Sequence, residues 1–129
     1  MQYLYGFANV SLIIRVIDRL SRLGGFPLKA LTVIYLVDRW VMRLHVSEPL
    51  NAIAEGNLVA FLQENGIPHK PSVSLLRAFD DLDLGTSLTQ VMNEHQVVVV
   101  SHGAPDPVEL YEFRSRFVEG LGYCPPTLV

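Results

Sequence analysis

The sequence predicts a mainly α domain with one short β-strand or hairpin: a compact set of about five to six helices with a winged-helix-like C-terminal part. Three observations carry that expectation. Apolar residues recur at helical spacing through most of the chain. Glycine and proline punctuate those runs at helix-like lengths, and only residues 97–100, an unbroken run of valine, read as a strand. With 129 residues and no linker, repeat or low-complexity tract, residues 1–129 are expected to form a single domain that buries its core unaided.

The first helix is expected over residues 11–23, with Ile13, Val16, Ile17, Leu20 and Leu23 on one face and Arg15, Asp18, Arg19 and Arg22 on the other. Gly24 and Gly25 end it, and Pro27 suits the first turn of the next helix. Residues 28–50 are the most apolar stretch and read as a second helix running to about His45, buried on most sides. On its wheel Lys29, Thr32, Arg39 and Arg43 share a stripe with Leu36 and Trp40, while Asp38 and His45 lie opposite. Pro49 stops it, and Asn51 caps a third helix to about Glu64. Ser72 or Ser74 opens a fourth, and residues 86–94 form a fifth. The valine strand must pair with something: a weaker strand near Ile67 or Val73, a wing-like hairpin, or another chain. Asp106, Pro107 and Glu109 then supply a cap, a first-turn proline and a capping-box acid for a last helix to about Glu119, before an irregular tail.

Composition bounds the function. Half the residues are hydrophobic, mean hydropathy is +0.29 and 18% are charged, an apolar surplus that points to a surface covered by another protein. The longest uncharged opening run stops at Arg15, short of the roughly 18 residues of a membrane span. Cytoplasmic residence is the expectation, as the start lacks the marks of a signal peptide and Cys124 stands alone. A net charge of -3 disfavours nucleic acid binding by this chain alone.

The residues with chemical potential form no recognisable catalytic set. His102 follows the valine strand, and with Asp38 and His45 it makes up the acid/base set of an alternative reading as a small hydrolase-like enzyme. His95 and His102 stand seven apart across a strand and do not point together, while Asp80, Asp81 and Asp83 lack the glycine and distal glutamate of a calcium loop. No metal site and no cofactor are expected.

Residues 17–60 resemble the opening of Panacea antitoxin domains. The resemblance lies in Leu20, Gly25, Leu28, the Ile34-Tyr35-Leu36-Val37-Asp38-Arg39 core and Glu48-Pro49-Leu50; Gly56, Asn57, Leu58 and Val59 stand where that family carries Gly-Pro-Val. It implies a mainly helical domain that neutralises or recruits a partner protein. A second similarity, to small middle components of three-part ATPase antiviral defence systems, implies a winged-helix-like accessory subunit, with a nucleic-acid-associated variant as a further alternative. The expected function is a non-enzymatic interaction module, antitoxin-like or accessory, in a prokaryotic or phage multi-protein system. Its expected partner contacts are Arg39, Trp40 and Arg43 with Val98 and Val100, in a homo- or hetero-oligomer with a toxin or larger subunit.

Overall fold

The stretch expected to form one all-round apolar helix is a β-hairpin. The computed structural model describes residues 1–23 and 26–129, so the helix stop expected at Gly24 and Gly25 lies outside the described residues. In chain order its elements are β1 (Gln2–Phe7), α1 (Val10–Arg22), β2 (Leu28–Leu36), β3 (Arg39–Val46), α2 (Ala52–Asn65), β4 (Ile67–Pro68), α3 (Val73–Asp83), α4 (Leu88–His95), β5 (Val98–Gly103) and α5 (Pro107–Leu121). A short 3-10 turn, Pro126–Leu128, follows. The strands form one antiparallel sheet in the order β4-β1-β3-β2-β5. This α+β architecture corrects the expected mainly helical fold with one short strand, and with it the winged-helix-like part.

The physical reason lies in how β2 and β3 are covered. Successive side chains of a strand alternate between faces. On the first face Tyr5, Phe7, Leu31, Val33, Tyr35, Trp40, Met42 and Leu44 pack under α1, α2 and α5, with Ile13, Ile17, Leu58, Leu62 and Leu110. On the second face Ile34, Val41 and Val99 meet Leu75, Ala78, Phe79 and Leu82 of α3 and Val91 of α4. A strand buried on both sides carries apolar residues at consecutive positions and loses its period-two signature. The hairpin turn is equally silent. Leu36 pairs with Arg39, so Val37 and Asp38 alone make the loop. Gln96 is the only non-glycine with positive φ among the described residues. The loop therefore lacks the mirror-image geometry that calls for Asn-Gly or Asp-Gly.

The helices follow their local signals. Asn9, Asn51, Ser72, Ser87 and Asp106 each accept a hydrogen bond from a backbone N–H in the first turn of the helix they precede. The tail expected to be irregular is bolted to the core: Trp40 Nε1 donates to Thr127 O at 2.7 Å, Arg114 Nε donates to Leu128 O at 2.6 Å, and Leu128 is fully buried. No helix among the described residues is long and apolar enough to cross a membrane.

Gly66 joins α2 to β4 where the chain crowds β1. A Cβ there would sit 2.5 Å from Gly6 O and 2.8 Å from the Phe7 ring. Gly56, within α2, has open space in the same position. Gly66→Ala should therefore destabilise the fold by about 1–3 kcal/mol. Gly56→Ala should leave stability unchanged or raise it by about 0.5–1 kcal/mol, since alanine favours helix. Urea unfolding of the two variants checks the contrast.

Candidate functional site

A polar cluster lies inside the second face of the sheet. Arg43 occupies a cross-strand position beside Leu4 of β1 and Thr32 of β2, and is only 1% exposed. A charge buried there requires a partner. Asp83 at the end of α3 supplies it in a two-pronged pair: Nη1 donates to Oδ2 at 2.8 Å and Nη2 to Oδ1 at 2.5 Å. The guanidinium also lies 4.8 Å from the centre of the Phe79 ring. Thr32 Oγ1 and His102 Nδ1 share a hydrogen bond of 2.7 Å beside this pair.

The surroundings set the protonation states. The Arg43 hydrogen bonds hold the Asp83 carboxyl below its ordinary value, against the opposing effect of burial. Burial lowers the His102 and His45 values, and the Arg43 charge lowers them further while Asp83 raises them. Both imidazoles thus favour the neutral form. Asp83 is committed to Arg43 and His102 to Thr32, so the cluster cross-links α3 to the sheet and offers no imidazole-carboxylate relay.

The hydrolase-like set does not assemble. Asp38 sits in the exposed β2–β3 turn, where hydrogen bonds from Arg39 lower its carboxyl value. His45 and His102 instead face the Arg43–Asp83 pair from β3 and β5. Asp38 and Arg39 line a cleft of about 470 Å³ with Gly6, Phe7, Asn65 and Gly66. Among the described residues, Asp81, Glu94 and His95 form the group spaced to hold a metal ion. His95 Nε2 already donates to Asp81 Oδ2 at 2.6 Å, so an ion would have to displace that bond.

The expected partner contacts separate into two kinds. Trp40 is fully buried against Tyr35 and Phe113, and Arg43 is buried with Asp83, so neither reaches the surface of this fold. The shared helical stripe that grouped them does not exist, because β3 sends Trp40 and Arg43 to opposite faces. Arg39 is exposed at the start of β3, beside Asp38 of the turn. Val98 is 39% exposed and Val100 half-buried, and both lie on the edge strand β5.

That edge has a distinctive form. Among the described residues β5 pairs with β2 alone, and no backbone hydrogen bond is made on its outer side. Alongside it runs a groove of about 380 Å³ lined by Val100 with Glu109, Glu112, Phe113, Arg116 and Phe117 of α5. The groove was hidden in the sequence, where nothing local placed Phe113 and Phe117 of the last helix beside the valine strand.

No family model matches the chain, and no curated protein sequence matches it either. A solved structure, the C-terminal domain of YpbH, is similar in fold, with a TM-score of 0.50 and 16% identity over 89% of this chain and 97% of that one.

Two measurements probe the cluster. Asp83→Ala leaves Arg43 buried without its partner and should cost about 3 kcal/mol, whereas Arg43→Met removes the charge itself and should cost less in the same urea titration. A histidine whose folded value is lowered takes its proton first in the unfolded chain. Stability should therefore fall as pH drops below the ordinary histidine value of 6.5. Below the ordinary aspartate value of 3.8 stability should fall further, because the unfolded chain takes the proton that Arg43 keeps off Asp83 in the fold. Thermal midpoints between about pH 7 and pH 5 should decline, and decline less in His102→Gln.

Proposed function

We propose that this chain is a non-enzymatic protein–protein interaction module that takes an extended segment of a partner as an added strand beside β5. One observation carries the reading: β5 is an unpaired sheet edge of six residues without proline or a formally charged side chain. Edge strands of natural proteins are normally blunted by lysine, proline, shortness or cover, because their free N–H and C=O groups template further pairing. The opposite edge follows that rule. There β4 is two residues long, ends in Pro68 and is followed by Pro71. At β5 the pairing is eased only by a bulge between Val33 and Ile34 that leaves Val100 without an opposite residue. Strand addition of this kind draws affinity from the main chain and specificity from the side-chain pockets beside it.

The apolar surplus of the composition supports the same reading. The chain's exposed apolar side chains include Val98 of β5 and Val108 and Tyr111 of α5. An antitoxin-like or accessory role in a prokaryotic or phage multi-protein system belongs to this proposal through the sequence resemblance, with the products of neighbouring genes as first candidates for the partner.

Val98→Lys places a blunting charge on the open edge at a position exposed enough to accept it. It should weaken the complex with a co-expressed partner by about tenfold or more. Its thermal midpoint should stay within a few degrees of the parent's, since surface substitutions cost about 0.5 kcal/mol at most. An undiminished complex would exclude β5 as the docking edge.

A further inference from the structure

Resting on the strand-addition reading, we infer that the groove between β5 and α5 selects a partner segment in which an apolar residue stands two positions from a lysine or arginine. A strand added to β5 directs every second side chain to the first face of the sheet, where the groove lies. Val100, Phe113 and Phe117 line its apolar part. Those rings are held in place: Phe113 and Phe117 lie 5.3 Å apart, and both contact Tyr35 edge-on at 5.7 and 5.5 Å. An apolar side chain therefore meets a rigid aromatic floor.

The rim adds the charge requirement. Glu109 and Glu112 are exposed on the same side of α5, and among the described residues neither forms an ion pair. Even Glu112 and Arg116, spaced for an i,i+4 bridge, do not close to within 4.0 Å. Two free carboxylates against one guanidinium leave the rim acidic, in a chain already at -3. Side chains two apart on a strand share a face about 7 Å from one another, so a cation at that spacing from the apolar anchor approaches the α5 acids. A carboxylate in the same place meets them as a like charge.

The probe is acetyl-Thr-Lys-Thr-Leu-Thr-Lys-Thr-amide, compared with the peptide carrying glutamate in place of both lysines. Amide chemical shifts of the labelled full chain report site and affinity together. The lysine peptide should move resonances within residues 98–103 and 109–117, and bind about tenfold tighter than the glutamate peptide at low salt. Glu109→Gln with Glu112→Gln should bring the two peptides to parity. Equal binding of both peptides by the parent chain at these amides would overturn the charge selection while leaving edge docking intact. Absent binding, or shifts that map to another surface, would overturn the inference as a whole. Sensitivity of the natural complex to Val98→Lys tests the underlying reading separately.

Discussion

The pairing of β2 with β3, buried on both faces, is the constraint on which the rest of the molecule depends. These two strands hold the centre of the sheet, with β1 added to β3 and β5 added to β2. Their first-face residues anchor the large core through Trp40 and Tyr35, and their second-face residues seat α3 and α4 through Ile34 and Val41. Arg43 ties the second layer to the first, since its buried charge is tolerated only while Asp83 stays docked. Residues remote in sequence thus converge on one hairpin, and even the last turn is held by Trp40.

That hairpin also marks the limit of what the sequence discloses. Caps and breakers are local chemistry, so the bounds of α1, α2, α3 and α5 follow closely from Asn51, Ser72, Asp106 and the apolar spacing of Ile13, Val16, Ile17 and Leu20. Residues 28–46 carry no such local signal. Burial on two sides removes the alternation of a strand, and a turn of Val37 and Asp38 without positive φ removes the glycine that would have announced it. The Ile34–Arg39 core of the sequence resemblance lies in this stretch, and there Ile34 to Leu36 and Arg39 are strand and Val37 and Asp38 turn. On the functional side the valine run did reveal a strand with an unmet need for a partner. Its true neighbour, β2, lay in the segment read as helix, and its free edge emerges only from the strand order.

The two rims of the sheet show how the fold separates closed from open surface. At β4 a two-residue strand flanked by prolines ends the sheet. At β5 the sheet stops without such a block, beside an aromatic groove and two free carboxylates. The polar cluster of Arg43, Asp83, Thr32 and His102 lies on the second face and keeps α3 in place. In this arrangement the interior hairpin provides rigidity, and the proposed function assigns recognition to the outer strand. The buried charges contribute to the first, and Val98 stands exposed on the strand proposed for the second.

Amide hydrogen exchange of the chain, alone and with any protein that co-purifies with it, tests the proposed division most directly. An added strand would occupy the outer N–H groups of β5, so exchange should slow within Val98–Gly103 while the Ile67 amide at the other rim stays unchanged. Slowing confined to the outer face of α2 or to the β4 rim, with β5 unaffected, would contradict the account.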